Sequence, residues 1–144
     1  MCQHCNYEQF LSDANLDPTA NRVRVLEIVG NNKDPLSAAD IYNILQRSHK
    51  INRVTVYRIL DLLVEGGVIE RISTGGRAFY YDLAPNDHHQ PHPHFYCKSC
   101  GQMDCLSPES LTVDTDHLWK TYPGRIEKVE IRIDGICKNC EKVG

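Results

Sequence analysis

Residues 52–82 read NRVTVYRILDLLVEGGVIERISTGGRAFYYD and predict a helix followed by a β-hairpin. In the first half, apolar side chains recur at the i, i+3, i+4 and i+7 spacing of a buried helical stripe, at Val56, Ile59, Leu60 and Leu63. Gly66-Gly67 then ends the helix. Residues 68–73 and 77–82 are rich in β-forming side chains, and the Thr-Gly-Gly turn between them is typical of a hairpin.

Two shorter helical patterns precede this stretch. Thr19 or Asn21 can cap the first helix, which stops at residues 30–32, Gly-Asn-Asn. Ser37 opens the second helix, with Asp40 three residues later as in a capping box. Three helices and a hairpin make a winged helix-turn-helix, so we expect residues 1–83 to form one DNA-binding domain of this type.

The distribution of charge favours a nucleic-acid partner for one face of this domain. The chain of 144 residues has a formal net charge of -3 and a pI near 6.1, which argues against nucleic-acid binding by the molecule as a whole. Between residues 41 and 60, however, there is no acidic side chain, and the basic side chains are Arg47, Lys50, Arg53 and Arg58. One face of an acidic protein can therefore be basic.

The third predicted helix carries polar and aromatic side chains off its apolar stripe, near its N-terminal end. In a helix-turn-helix protein, this helix enters the major groove and reads bases from its N-terminal turns. Arginine can pair bidentately with guanine, and a tyrosine ring can pack on a thymine methyl group. The alternative is an ordinary solvated helix face. We therefore predict contacts with double-stranded operator DNA by Arg53, Thr55, Tyr57 and Arg58.

Two Cys-x-x-Cys pairs account for four of the seven cysteines: Cys97 with Cys100, and Cys137 with Cys140. Each pair can place two thiolates on one tetrahedral ion, so together they predict a closed structural zinc site. Two disulfides or a redox motif are the alternatives. The chain shows no signal peptide and no apolar run of membrane-spanning length, so we expect a cytoplasmic protein with reduced thiols. A redox motif would normally occur once, whereas this one occurs twice.

The remaining sequence predicts a hinge and a second domain. Residues 84–94 are polar, contain prolines and hold four of the seven histidines, as expected of an extended hinge. In residues 95–144, strands at 95–96 and 103–106 flank the first zinc turn, a helix runs from Ser107 through Trp119, and residues 125–133 alternate as a strand. The predicted fold class is α+β, a winged helix-turn-helix followed by a small α/β dimerisation domain. A winged helix that reads a palindrome needs such a dimerisation domain.

Several motifs together resemble the ferric uptake regulator family, with the zinc uptake regulators closest in ligand chemistry. They are TVYRIL at residues 55–60, the Gly-Gly turn that leads to Tyr80-Tyr81-Asp82, HPHFYCKSCG at residues 92–101, and the terminal CKNC at residues 137–140. The resemblance covers nearly the whole chain from Leu16 onward. It implies a homodimeric, metal-dependent repressor of metal-uptake genes, with a structural zinc in the dimer domain and a second, regulatory metal at the hinge.

The resemblance also implies the ligands of the regulatory metal. The acidic residue at the end of the wing matches Asp82, and the His-x-His before the first zinc cysteine matches His92 and His94. The family's carboxylate five residues after the second zinc cysteine is Cys105 here. The loop is longer than usual, so His88 or His89 is an alternative to Asp82. A cysteine in a short strand can also be a small buried apolar residue, and a histidine-rich hinge can be a solvated linker.

The chain departs from the family pattern at other ligand positions. Pro35 replaces a histidine before the second helix, so one common ligand is missing. The family's third metal site falls at Thr112 and Val129, which are poor ligands, so we expect that site to be absent. Ahead of the matched region lies Cys2-Gln3-His4-Cys5, which is open to interpretation as a ligand lid, a thiol sensor or a frayed terminus.

Thiolate and imidazole ligands in a four-coordinate site favour zinc as the sensed metal over iron, which prefers more oxygen and nitrogen ligands. Peroxide sensing ranks lower, because a thiol replaces one carboxylate.

A zinc enzyme is not expected, since the deaminase signature His-x-Glu does not occur. A metal store or metallochaperone would explain the histidines but not the predicted DNA-binding helix. We expect no membrane partner and no small-molecule substrate.

Overall fold

The computed structural model describes residues 6–86 and 90–143, which fall into two compact units divided between residues 90 and 91. The alternatives raised for Cys2, His4, Cys5, His88 and His89 lie outside the described residues. Within the described part of the chain, no helix is long and apolar enough to cross a membrane.

The described part of the first unit contains four helices: α1 (Tyr7–Asp13), α2 (Ala20–Asn31), α3 (Ala38–Gln46) and α4 (Arg53–Glu65). The predicted helix starts are confirmed for the last three. Thr19 caps α2, and Ser37 forms a reciprocal capping box with Asp40 at the start of α3. Asn52 caps α4, where its side chain accepts a hydrogen bond from the backbone N–H of Val54 at 2.7 Å.

The wing is an antiparallel sheet of three strands, β1 (Leu36–Ser37), β2 (Ile69–Ser73) and β3 (Phe79–Leu83), in the order β1-β3-β2. The pairing of β2 with β3 runs from Ile69 opposite Leu83 to Ser73 opposite Phe79. In the turn between them, Gly75 has a φ of 84°, which favours glycine. The predicted hairpin is confirmed, although β3 begins at Phe79 rather than at Arg77.

One hydrophobic core joins the helices of the first unit to its sheet. The predicted stripe of α4 is confirmed, since Val56, Ile59, Leu60 and Leu63 are all buried in this core. The core therefore fixes which face of α4 remains outside. That outer face carries the residues predicted to contact DNA.

Helix α1 was not predicted from the sequence. Its Tyr7 hydroxyl donates a hydrogen bond to Asn31 Oδ1 at 2.8 Å. The Tyr7 ring lies against Gly30, where a Cβ atom would come within 2.5 Å of the hydroxyl oxygen. Gly30 thus lies within α2 and makes room for Tyr7, and the helix ends at Asn31.

The described part of the second unit contains β4 (His94–Cys97), β5 (Met103–Cys105), α5 (Thr115–Thr121), β6 (Arg132–Gly135) and α6 (Lys138–Val143). The central strand is β4, which pairs antiparallel with β5 and parallel with β6. With the winged helix-turn-helix of the first unit, this small α/β unit confirms the predicted α+β fold class.

The helix predicted from Ser107 through Trp119 is shorter than expected. It begins only at Thr115, where the Asp114 carboxylate accepts a hydrogen bond from the backbone N–H of His117 at 2.9 Å. Residues 107–110 form a turn instead, closed by a hydrogen bond from the Ser110 N–H to the Ser107 carbonyl. The Ser-Pro pair therefore starts a turn, and Asp114 provides the helix cap.

The alternating run at residues 125–133 was predicted to be one strand, but it is a strand only from Arg132 onward. Residues 132–135 are the ones that pair with β4. An alternating pattern supplies the side chains of a strand, whereas the strand itself needs a hydrogen-bonding partner along its edge. In this unit that partner is the four-residue strand β4.

Candidate metal centres and nucleic-acid interface

The four cysteines predicted to bind zinc come together in the second unit. Their sulfur atoms all lie within 4.8 Å of one another. The Sγ atoms of Cys100 and Cys137 are 3.8 Å apart. This is about the edge of a tetrahedron whose centre holds zinc with Zn–S bonds of about 2.3 Å. The donor atoms and their spacing therefore fit a structural zinc ion.

Strand pairing brings the two halves of this cluster together. Cys97 ends β4 opposite Gly135 of β6, two residues before Cys137, and the Lys98 N–H donates a hydrogen bond to the Gly135 carbonyl at 2.8 Å. Gly101, with a φ of 80°, closes the tight turn after Cys97 by donating to its carbonyl at 2.9 Å. The register of β4 with β6 thus joins two cysteine pairs that are distant in sequence.

Hydrogen bonds favour a thiolate in this cluster. The backbone N–H groups of Cys100 and Cys137 donate to Cys97 Sγ at 3.5 and 3.3 Å and lower the pKa of Cys97 to about 6. At Cys140, the Ser99 hydroxyl favours the thiolate, but the thiols of Cys137 and Cys100 outweigh it and raise the pKa of Cys140 to about 12. Ionisation of all four neighbouring thiols together therefore requires a cation to offset their repulsion.

A second cluster in this unit consists of His92, His94 and Cys105, whose ligand atoms lie within 4.8 Å of one another. His94 is directly opposite Cys105 in the pairing of β4 with β5, so their side chains share one face of the sheet. The ring centroids of His92 and His94 are 4.6 Å apart. His94 is 2% exposed. Two imidazoles and one thiol are therefore available to a single metal ion.

The fourth predicted ligand, Asp82, belongs to the first unit. It lies on β3 opposite Glu70 and is 9% exposed. Its Oδ1 accepts a hydrogen bond from the backbone N–H of Leu83 at 2.9 Å. Burial of a carboxylate costs free energy unless hydrogen bonds or a cation compensate it, and the Leu83 N–H is one such donor. Whether Asp82 joins the metal ligands of the second unit stays a prediction.

The outer face of α4 presents the predicted DNA-binding residues. All of them are exposed: Arg53, Thr55, Tyr57 and Arg58. The Arg53 guanidinium carbon lies 4.9 Å from the ring centroid of Tyr42, a cation–π contact that holds the first of these side chains against α3. The core fixes the opposite face, so this surface is available to a partner.

The sequence pattern of the ferric uptake regulator family matches residues 13–134. The chain belongs to this family. Members of the family are metal-responsive, DNA-binding transcription regulators and not enzymes. The two clusters of metal-ligating side chains and the exposed face of α4 are therefore found in a chain whose family combines metal response with DNA binding.

Similarity to known relatives extends over most of the chain. The ferric uptake regulation protein of Bacillus subtilis strain 168 is 33% identical over 119 residues, which are 82% of this chain and 78% of that protein. The crystal structure of the Vibrio cholerae ferric uptake regulator superimposes with a TM-score of 0.73 at 25% identity, covering 92% of this chain and 100% of that one. A zinc uptake regulator complexed with zinc and DNA shares the fold, with a TM-score of 0.65, 24% identity and coverage of 94% and 91%.

Sequence reasoning missed one contact on the outer side of α4. Arg71 of β2 donates a hydrogen bond to Asp61 Oδ1 of α4 at 2.7 Å. The helical pattern does place Asp61 outside the buried stripe, four residues after Tyr57, which is a usable indication that it faces outward. Its partner on β2 depends on how the hairpin folds back onto α4.

Proposed function

We propose that this chain is a homodimeric cytoplasmic repressor that binds operator DNA in its zinc-loaded form and controls metal-uptake genes. The cluster of His92, His94 and Cys105 carries the choice of metal. Two imidazoles and a thiolate suit zinc, whereas iron(II) and manganese(II) favour more oxygen and nitrogen ligands. The fold shared with a zinc uptake regulator complexed with zinc and DNA is consistent with this choice.

Asp82 is proposed as the fourth ligand of the regulatory metal. Because Asp82 belongs to the first unit and the other three ligands to the second, a common ligand set would couple the two units. Metal can favour the DNA-competent arrangement only if it binds that arrangement more tightly than the others. The cluster of Cys97, Cys100, Cys137 and Cys140 is proposed to hold a separate structural zinc.

The exposed face of α4 supports DNA binding through Arg53, Thr55, Tyr57 and Arg58. In our proposal, residues 1–83 form the DNA-binding domain, 84–94 the hinge and 95–144 the dimerisation domain. Homodimerisation is supported by large apolar side chains exposed on the second unit, including Leu118, Trp119, Tyr122, Val129, Ile133 and Ile136. Covering them with the same surface of a second copy would give a two-fold interface.

Iron sensing is the second candidate, and relatives such as the ferric uptake regulation protein of Bacillus subtilis favour it. Peroxide sensing fits less well, because Cys105 adds a thiol to the nitrogen ligands. A metal store or metallochaperone would leave the exposed basic and aromatic face of α4 without a role. These alternatives predict different responses to metal in one DNA-binding assay.

The test uses full-length protein that keeps its structural zinc and is stripped of weaker metal by a mild chelator. Buffered zinc, iron(II) and manganese(II) are titrated separately, and DNA duplexes are enriched from a random library at each metal. We expect zinc to support sequence-specific binding at the lowest free concentration relative to its cellular supply, as its ligand chemistry favours. Specific binding with iron(II) and not zinc would assign the protein to iron, and no specific binding with any metal would favour storage.

A further inference from the structure

Asp61 of α4 and Arg71 of β2 form an ion pair within the first unit, outside both metal clusters. Arg71 Nη2 lies 2.7 Å from Asp61 Oδ1. Asp61 follows Tyr57 by four residues, so the two side chains are neighbours on the exposed side of α4. The ion pair therefore joins the DNA-facing helix to the wing.

The wing holds the Arg71 side chain in place. Its guanidinium carbon lies 5.1 Å from the ring centroid of Phe79 and 5.9 Å from that of Tyr81. Both aromatic residues lie on β3, and Tyr81 is directly opposite Arg71 in the strand pairing. A planar guanidinium stacked on rings presents its N–H donors in fixed directions. The wing thus offers Asp61 a preoriented donor.

The exposure of this pair points to a role other than fold stability. The side chains of Arg71 and Asp61 are 34% and 62% exposed, and ion pairs with such exposure contribute little to folding. The chain connects α4 to β2 through a turn in which Gly67 has a φ of 73°. The hydrophobic core already packs α4 against the sheet, and the ion pair adds a contact on the exposed side of the wing, two residues before the end of β2.

The surroundings of the pair fit a nucleic-acid backbone. A groove of about 600 Å³ between α4 and the wing is lined by residues that include Tyr57, Asp61, Arg71 and Arg77. When a recognition helix lies in the major groove, a sugar-phosphate strand separates it from a wing that reaches the neighbouring minor groove. An uncompensated Asp61 would repel those phosphates, and Arg71 neutralises its charge.

We propose that Asp61 and Arg71 are positioning residues for DNA recognition. Their ion pair holds the outer part of the wing against α4 and shields the Asp61 carboxylate, and the groove beside them receives one phosphate strand, with Arg77 as a further cation. This inference rests on the DNA-binding function proposed above.

The test compares Asp61→Asn with Asp61→Glu, which keeps the pair, and with Glu65→Gln, which removes an exposed carboxylate from the same helix. The probes are a duplex enriched from a random library by zinc-loaded wild type and a random duplex of equal length. In Asp61→Asn, we expect the specific-to-random affinity ratio to fall by up to about fivefold, because an exposed ion pair contributes little. The salt slope should steepen by about one, because the variant carries one negative charge fewer beside the proposed phosphate strand. Asp61→Glu and Glu65→Gln should behave like wild type.

Hydrogen–deuterium exchange of the DNA-free full chain separates this inference from the proposed function. Asp61→Asn should speed amide exchange at residues 74–78 of the wing, and Glu65→Gln should not. Equal exchange in the two variants would overturn the positioning of the wing. Faster exchange with an unchanged affinity ratio would overturn the role in DNA recognition. If wild type enriches no duplex, the proposed function fails together with that role, and exchange still reports whether the pair holds the wing.

Discussion

His94 lies directly opposite Cys105 in the antiparallel pairing of β4 with β5. Opposite residues in such a pair place their side chains on one face, with Cβ atoms about 4.5 to 5.5 Å apart. Backbone hydrogen bonds of the sheet therefore hold this imidazole and thiol within reach of one ion. His92, two residues earlier, adds a second imidazole, and the three ligands are available without rearrangement of a loop.

Replacement of Cys105 by alanine should remove the metal response and keep the structural zinc. Zinc content should fall from about two ions to about one per chain, because the two clusters share no ligand. Affinity for the second zinc should drop by more than about 100-fold. Loss of a residue that only hydrogen-bonds to a metal ligand costs up to about 100-fold, and loss of a ligand itself should cost more. Competition with a chromophoric chelator measures the zinc, and fluorescence anisotropy measures zinc-dependent DNA binding.

Asp104→Asn is the matched control for that substitution. Asp104 precedes Cys105 on β5, so its side chain lies on the other face of the sheet, where it accepts a hydrogen bond from Gln102 Nε2 at 2.6 Å. This variant should keep both zinc ions and the zinc response. If Cys105→Ala behaved in the same way, Cys105 would be a packing residue, and zinc would lose its main advantage over iron.

Replacement of Arg58 by alanine should weaken operator binding by roughly 1 to 3 kcal/mol and relax sequence preference, because this exposed residue is proposed to contact a base. Lys50 is also exposed but precedes α4, so we expect it to contact at most a phosphate. Lys50→Ala should therefore weaken binding to operator and random duplexes alike. Anisotropy titrations against both duplexes make the comparison. Equal losses on the two duplexes for Arg58→Ala would contradict base contact.

Local patterns predicted the elements whose start or buried face is set within a few residues. The stripe of α4 and the Ser37 capping box are of this kind. The same reasoning missed α1, although Asn6 caps it and Tyr7 and Leu11 lie at helical spacing. It overextended the helix after Ser107, because an earlier Ser-Pro pair resembled a start and Asp114 is the actual cap.

The two candidate metal clusters were predicted from the sequence in two different ways. The Cys-x-x-Cys spacing predicted all four members of the cysteine cluster, because each pair forms within one turn. The cluster around Cys105 came from family resemblance, since the register of β4 with β5 is a property of the folded sheet. For the same reason, no local pattern could reveal that Arg71 reaches Asp61.

A cycle of substitutions at Gly30 and Tyr7 should test the docking of α1. In wild type, Gly30→Ala should destabilise the protein, because the new Cβ would come within 2.5 Å of the Tyr7 hydroxyl oxygen. In a Tyr7→Ala background, the same change should stabilise it by up to about 1 kcal/mol, the usual preference for alanine over glycine inside a helix. Chemical denaturation of wild type, the two single variants and the double variant gives the coupling free energy between Gly30→Ala and Tyr7→Ala. Equal effects of Gly30→Ala in both backgrounds would mean that Tyr7 does not occupy this space.

The pKa values of the four-cysteine cluster predict how many protons zinc displaces. Hydrogen bonds from the backbone N–H groups of Cys100 and Cys137 lower the pKa of Cys97 to about 6, below the ordinary value for a thiol. In metal-free protein, Cys97 is therefore ionised at neutral pH and becomes protonated as the pH falls through 6. The pKa of Cys140 is raised to about 12, so its thiol stays protonated at both neutral and acidic pH. It therefore loses one proton on zinc binding at either pH.

Zinc binding should consequently release more protons at acidic pH than at neutral pH. Between about pH 7.5 and about pH 5.5, the release should increase by up to about one proton per site, because Cys97 changes from mainly ionised to mainly protonated in the metal-free protein. Calorimetry in buffers of different ionisation enthalpy measures the release, and a His92→Ala background removes the second site. Because protonation of Cys97 competes with zinc, affinity should also fall more steeply below pH 6. Proton release that stays constant over this range would mean that the Cys97 thiol is not selectively ionised in the metal-free protein.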